Sequence, residues 1–421
     1  MGNLTAYTAQ MSETVNLIYA YHKKKGDAED QRGYLGASII GRECERELWY
    51  TFRNCTRPEF DGRMYRLFET GDLEEFRFVK ELREIGCEVH DVDNNGDQFE
   101  VTALAGHFSG HMDGCALGVS EAPATWHVLE FKTHNEKSFA KLKKEGVRAS
   151  KPEHYAQMMV YMGLTRMTRA LYLARDKNTD ELYGERVRYD AAEFKQLMTK
   201  AERIITSTKP PARISDRPDF WKCRFCDHKN LCHGASNVAV PICKRNCRTC
   251  VFATPEMDGD GRWSCVQHNA DIPRDAQEVG CDRHLLIPDL VSFADATDAG
   301  DNFIEFTNRH DGGVWRHCNA EYDGDDAWTT AELMAEAGPR EAPIKIPKLS
   351  LVDRYPPEDC ELIAEKEGGI QLNSYPGLLP LKDVTDCQDD DEYFALEFDR
   401  EFLVVTYKQH GNYTAIWRAK S

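Results

Sequence analysis

The chain contains no run of about eighteen apolar residues, the length a membrane-spanning helix needs, so no such span is expected. Met1 to Tyr21 lack the basic start and apolar middle of a secretion signal, which makes the cytoplasm the expected compartment. No internal repeat is present. The chain also lacks a basic excess. Its formal net charge of −18 by itself argues against a nucleic-acid partner. The distribution changes that reading: residues 1–240 hold 35 Lys and Arg against 36 Asp and Glu, whereas residues 241–421 hold 18 against 35. The first half can therefore carry a basic groove, and the acidic second half is a poor place for phosphates.

At 421 residues, 41% of them apolar, the chain is long enough for two or three domains with sizeable cores. A short helix is expected within 12–30. A second is expected over Ile39 to Phe52, with Cys44 in its first turns, and a third over about 66–85. In the third, Leu73, Phe76, Val79, Leu82 and Ile85 recur at helical spacing and Gly86 stands where a C-cap belongs. Val89 to Val92 and Phe99 to Leu104 flank Asp93-Asn94-Asn95-Gly96-Asp97, which reads as a hairpin turn. Strands at Phe108 to Cys115 and Trp126 to Thr133 follow, then a lysine-rich loop and a helix over Glu153 to Gly163. Strands at Arg169–Arg175 and Leu182–Arg188 and a helix over Ala191 to Thr206 end at Pro210-Pro211. This order predicts an α/β core, a mixed sheet flanked by helices. Beyond it lie a cysteine-rich zone and, past Pro288, a β-rich segment ending in a hairpin of Phe402 to Lys408 and Tyr413 to Arg418.

The chemistry concentrates in Gly110-His111-Met112-Asp113-Gly114 and Val128-Leu129-Glu130-Phe131-Lys132. Two carboxylates on neighbouring strands can hold a hard divalent cation, which activates water and neutralises charge developing on a phosphodiester. Alternation along a strand sends Glu130 and Lys132 to one face and Phe131 to the other, with Lys132 placed to orient water or stabilise the phosphorane. Alone, Glu-x-Lys reads better as the solvated face of an edge strand. The Asp113 strand, seventeen residues earlier, makes the pattern specific.

These residues resemble the RecB-type branch of the PD-(D/E)XK nucleases, which includes recombination helicase–nucleases and the iron–sulfur nuclease of CRISPR spacer acquisition. Gly71-Asp72-Leu73-Glu74-Glu75 is similar to the branch's Gly-x-x-x-His/Glu element, which implies a metal ligand at Glu75, with Glu74 as competitor. The resemblance adds the Phe131 carbonyl to the ligands and implies Mg²⁺ or Mn²⁺. Gln157-Met158-Met159-Val160-Tyr161 is similar to the Gln-x-x-x-Tyr element, which implies that Gln157 and Tyr161 share a helical face toward DNA.

Eight of the fifteen cysteines lie between Cys223 and Cys281, and in a reducing compartment Cys-x2-Cys pairs read as metal ligands. Cys223, Cys226 and Cys232 leave a site one thiolate short. The resemblance supplies Cys44 as the fourth ligand, of a 4Fe–4S cluster that staples the ends of the domain; zinc fits the spacing too. Cys247, Cys250, Cys265 and Cys281 read as a structural Zn²⁺ site, in which His268 or His284 can replace one ligand. Lys137, Lys141, Lys143, Lys144, Arg148 and Lys151 read as a phosphate track or as a solvated charged face.

The expected organisation is a restriction-endonuclease-like nuclease domain at 1–235, a cysteine-rich metal module at 236–290, and an acidic α+β domain at 291–421 that can dock a protein partner. The expected function is a DNA exonuclease on single strands or duplex ends, in recombination, repair or phage DNA metabolism (in the host cytoplasm if phage-encoded). A non-cleaving DNA scaffold and an iron–sulfur redox protein are the alternatives.

Overall fold

The strand bearing Glu130 and Lys132 is the middle one of a five-stranded sheet, and the first half of the chain is arranged around it. The computed structural model describes residues 12–234, 243–309, 312–324 and 327–335, and the backbone of five further strands between 360 and 419. The chain divides into two compact units. One comprises Met1–Gly313, His317–Asp323 and Trp328–Ala342; the other comprises Val314–Arg316, Gly324–Ala327 and Pro343–Ser421. Among the described residues no helix is long and apolar enough to cross a membrane.

The first unit opens with α1 (Glu13–Asp27), the two-residue strand β1 (Leu35–Gly36), α2 (Glu45–Phe52) and α3 (Gly62–Glu84). Then come β2 (Glu88–His90), β3 (Glu100–Ala103), β4 (Phe108–His111), β5 (Cys115–Leu117) and β6 (His127–His134). Helices α4 (Glu136–Ser150) and α5 (Pro152–Thr165) lead to β7 (Arg169–Asp176), β8 (Leu182–Arg188) and α6 (Ala191–Thr206). The large sheet has the order β2-β5-β6-β7-β8 and the small one β1-β4-β3. Strands β6 and β7 run parallel and the other neighbours of the large sheet antiparallel. A parallel pair needs a crossover, and α4 with α5 supplies it. The expected mixed α/β fold is present.

Helix α3 starts where Asp61 accepts a 2.7 Å bond from the Met64 N–H, and it ends before Gly86, whose φ is +95°. Its inner face is Glu74, Phe78, Val79 and Leu82, and Phe78 stacks on Phe131 of β6 with centroids 5.1 Å apart. The apolar spacing is misleading here: Leu73, Phe76 and Ile85 are 64%, 71% and 72% exposed. The sheet takes Phe78 in their place because it stands opposite Phe131.

Other local expectations also shift. The predicted helix over Ile39 to Phe52 is a short 3-10 turn followed by α2, with Cys44 at the N-cap. The turn at Asp93 forms, held by N–H bonds from Asn95 and Asp97 to the Asp93 carboxylate. Its flanks pair only through Val92 and Gln98, because β2 and β3 belong to different sheets. The lysine-rich segment is a helix, α4, broken at Gly146 (φ +73°).

The cysteine-rich region contributes a small sheet of β9 (Ala253–Pro255), β10 (Trp263–Cys265) and β11 (Ala270–Asp271), followed by the hairpin of β12 (Ala294–Ala299) and β13 (Phe303–Asn308). Trp263, fully buried, packs on Phe52 and His107. Buried Arg53 and Arg248 clamp the junction through carbonyls rather than carboxylates: Arg53 donates to Arg248 O (2.8 Å) and Arg248 to Phe52 O (3.1 Å). In the second unit five strands form an antiparallel sheet in the order Cys360–Glu367, Tyr413–Ala419, Phe402–Tyr407, Tyr393–Phe398, Val384–Asp389. The expected terminal hairpin is the pair Phe402–Tyr407 and Tyr413–Ala419; its turn lies outside the described residues.

Phe78→Ala should lower unfolding free energy by about 3–5 kcal/mol, as for buried aromatic truncations, while Phe76→Ala should change it by less than about 0.5 kcal/mol. Urea titrations of the two variants check this, and equal losses would contradict the inner face assigned to α3.

Candidate active site

The segment expected as one strand over Phe108 to Cys115 is two strands, and the break makes the site. Gly114 adopts φ +135°, and a Cβ there would sit 2.6 Å from the His90 carbonyl, so only glycine fits the turn. The chain leaves the small sheet after β4 and joins the large one at β5, and Asp113 falls at the joint. Its carboxylate accepts a 2.6 Å bond from the Phe131 N–H, which ties it to β6. Gly110 has a separate reason: a Cβ would stand 2.8 Å from the Tyr161 hydroxyl.

Asp113, Glu130, the Phe131 carbonyl and Lys132 converge, as expected. The Lys132 ammonium contacts the Glu130 carboxylate, lies 3.9 Å from Asp113, and donates to Phe131 O at 2.9 Å. Glu130 is fully buried; its Oε1 faces the Lys132 ammonium, and its Oε2 has no hydrogen-bond donor. An orphaned carboxylate oxygen beside the Asp113 carboxylate and the Phe131 carbonyl suits a hard cation, so the donor set fits a divalent metal chemically. Among the described residues no three His, Cys, Asp or Glu side chains are spaced to close on a metal ion. In the acidic cluster the Lys132 ammonium stands in the gap as the local positive charge.

Burial raises the Glu130 carboxyl, with Lys132 opposing and Asp113 adding to the rise. Burial also pushes Glu75 up to about 7, reinforced by the charge of Asp113 and offset by Lys132. Asp113 is raised by burial against the pull of Lys132 and the Phe131 N–H. For Lys132 burial works downward, but Glu130 and Asp113 outweigh it and hold the amine charged. Glu75 thus belongs electrostatically to the cluster. Its neighbour Glu74 does not: it is buried against Arg175 of β7 at 3.0 Å and Arg77 at 3.7 Å, an ion pair between α3 and the sheet.

Gln157 and Tyr161 depart from the expected face toward DNA. They are 5% and 1% exposed. Gln157 donates to the Tyr161 hydroxyl (3.1 Å), which donates to the His111 carbonyl (2.7 Å). The pair braces the backbone two residues before Asp113. Of the basic side chains on the following segment, Lys141, Lys143 and Arg148 pair with Glu145, Glu181 and Glu193, and Lys151 turns inward to Ser138. Lys137 and Lys144 have no ion-pair partner among the described residues.

Cys44, Cys223, Cys226 and Cys232 line one small cleft, and burial pushes the Cys226 thiol up to about 12. His228 bridges Thr51 (3.0 Å) and Thr56 (2.7 Å) and so pins this loop to α2. Cys247, Cys250, Cys265 and Cys281 line a second cleft, where Cys281 lies 3.5 Å from His268. His284 also reaches that cleft, but its ring nitrogens are engaged by Thr330 and by Asn246 and Thr249, so it is not free to replace a thiolate. The described cysteines are all free thiols.

Sequence reasoning missed His134, His154 and Tyr172. His134 continues the alternation Glu130, Lys132 on one face, and Tyr172 is the register partner of Glu130 on β7. His154 lies three residues before Gln157. Period-2 spacing would have found the first of these. The other two depend on strand pairing and helix packing.

Residues 25–233 match the family model described as the PD-(D/E)XK nuclease superfamily. Among solved structures, that of SSO0001 aligns at 12% identity over 52% of this chain and 96% of that one, with a TM-score of 0.34. LHK-Exo in complex with dAMP aligns at 19% identity over 45% and 90%, TM-score 0.31. The alkaline exonuclease LHK-Exo from Laribacter hongkongensis aligns at 17% identity over 45% and 90%, TM-score 0.31. None of the curated proteins matches.

Because Glu75 and Glu130 are raised, the folded chain holds protons that the unfolded chain has already released, and metal-free stability should fall as pH rises through neutrality. A divalent cation competes with those protons. Thermal stabilisation by Mn²⁺ should therefore be larger at about pH 8 than at about pH 6. An equal shift at both pH values would contradict the cluster as its binding place.

Proposed function

Residues 25–233 belong to the PD-(D/E)XK nuclease superfamily, and from that membership we propose that the protein is a metal-dependent deoxyribonuclease, an exonuclease of the RecB-type branch acting on single strands or duplex ends. The observation that carries the reading is the convergence of Asp113, buried Glu130, the Phe131 carbonyl and Lys132 at the break between β4 and β5. These oxygens, with Glu75, would hold Mg²⁺ or Mn²⁺. A divalent ion bound there supplies Lewis acidity and lowers the pKa of water. In the hydrolysis a water oxygen forms a bond to phosphorus and the bond to the leaving sugar oxygen breaks, that oxygen taking a proton. The Lys132 ammonium, held between carboxylates, orients the water and faces the charge gathering on the phosphoryl oxygens. Gln157 and Tyr161 act through the backbone of His111, which fixes where Asp113 points.

We propose further that Cys44, Cys223, Cys226 and Cys232 hold a 4Fe–4S cluster, with zinc as the other candidate, and that Cys247, Cys250, Cys265 and Cys281 hold a structural Zn²⁺. The gathering of each set of four thiols around one cleft supports the assignments. The division into a nuclease domain at 1–235, a metal module at 236–290 and an acidic partner-docking segment at 291–421 belongs to the same reading. So do a cytoplasmic setting and a role in recombination, repair or phage DNA metabolism.

Incubation of end-labelled single-stranded and duplex DNA with Mn²⁺ should give mononucleotides or short products. Asp113→Ala, Glu130→Ala and Lys132→Ala should each lose about 10²-fold or more, the order seen when a residue that stabilises the transition state is removed. Degradation undiminished in all three would sink the catalytic reading. A cluster should give visible absorbance and about four irons per chain, both lost in Cys44→Ser. Stoichiometric zinc without iron would replace the cluster by zinc.

A further inference from the structure

His134, two residues beyond Lys132 on β6, and Tyr172, the register partner of Glu130 on β7, belong to a chain of polar groups that the proposed hydrolysis does not yet use. Lys151 donates to the Ser138 hydroxyl. Ser138 Oγ lies 3.4 Å from His134 Nδ1, and His134 Nε2 lies 2.9 Å from the Tyr172 hydroxyl. The same hydroxyl lies 2.9 Å from His154 Nδ1. The rings are layered: His134 and His154 are stacked at 5.8 Å with planes 21° apart, and His154 and Tyr172 at 5.8 Å and 27°.

Donor and acceptor capacity gives this chain a direction. A lysine ammonium only donates, so Ser138 Oγ accepts from it, and the serine proton is left for His134 Nδ1. His134 then carries its proton on Nε2 and donates it to the Tyr172 oxygen. Tyr172 has one proton, which goes to His154 Nδ1. His154 is left with its proton on Nε2. That nitrogen has no acceptor among the described residues, and the ring is partly exposed. Burial, and after it the charge of Lys132, keeps the imidazole neutral. His154 also shares α5 with Gln157 and Tyr161, which brace the Asp113 segment.

We infer that the chain Lys151–Ser138–His134–Tyr172–His154 locks His154 as the Nε2–H tautomer, an uncharged donor beside Lys132 for a phosphoryl oxygen of the substrate. The inference rests on the nuclease reading for its substrate but not for its tautomer. An uncharged donor has a physical advantage here: it adds a hydrogen bond to the phosphate without adding to the positive charge that Lys132 already places in the site.

Two amide substitutions separate the roles, since Gln places its nitrogen near Nε2 and Asn near Nδ1. In steady-state cleavage of single-stranded DNA with Mn²⁺, His154→Gln should keep kcat within about tenfold and His154→Asn should lose about a hundredfold, melting temperatures being equal. The reverse order would overturn the proposal and reduce His154 to a support for Tyr172. Nitrogen-15 NMR of histidine-labelled protein reads the tautomer without any reaction. His154 should be protonated at Nε2 alone, and Tyr172→Phe should make it a mixture. A proton on Nδ1, or an imidazolium at neutral pH, would overturn the relay and leave the nuclease reading intact. A wild-type chain that cuts no DNA would remove the nuclease reading and the phosphate role together, whatever the tautomer.

Discussion

A fully buried carboxylate closed on a lysine ammonium is the constraint on which the rest of the first unit depends. An isolated Glu130 in a dry sheet would cost several kcal/mol to ionise, and breaking such a pair typically costs about 3–5 kcal/mol. The fold meets this cost with Lys132, two residues along the same face, while Asp113, delivered across the sheet, adds to it. Burial, reinforced by the charge of Asp113 and opposed by Lys132, holds the Glu130 and Glu75 carboxyls above their ordinary range.

The surrounding elements follow from holding that cluster in place. Gly114 turns the chain so that Asp113 leaves one sheet for another. Phe131 faces away and anchors β6 by stacking on Phe78, while Tyr161 and Gln157 support the segment ahead of Asp113. Glu74 and Arg175 tie α3 to β7, so that Glu75, one position on, faces the cluster rather than solvent. The cysteine-rich region is bound into this framework by Trp263 and the two buried arginines.

Much of this was legible in the order of residues. The α/β alternation, the Glu130 and Lys132 face, and the identity of Asp113 follow from period-2 spacing and motif distance. Helix α6 and strand β8 have the bounds their patterns predict. What was not legible depends on partners distant in sequence. Phe78 is chosen over Phe76 by Phe131, about fifty residues on. The strand break at Met112 to Gly114 follows from β4 and β5 having different neighbours. Gln157 and Tyr161 have helical spacing that fits either a solvent-facing or an inward pair, and the His111 carbonyl decides for the inward one. The lysine-rich helix reads as basic in sequence, yet folding neutralises half of it with Glu145, Glu181 and Glu193.

The most direct test of this account is a count of Mn²⁺ bound per chain by electron paramagnetic resonance, comparing the wild type with Glu130→Gln. An intact chain should bind manganese tightly and stoichiometrically, and the amide variant should lose that binding while remaining folded. Manganese held equally well by both would mean that the buried carboxylate on β6 is a structural ion pair with Lys132 and not the seat of a metal ion.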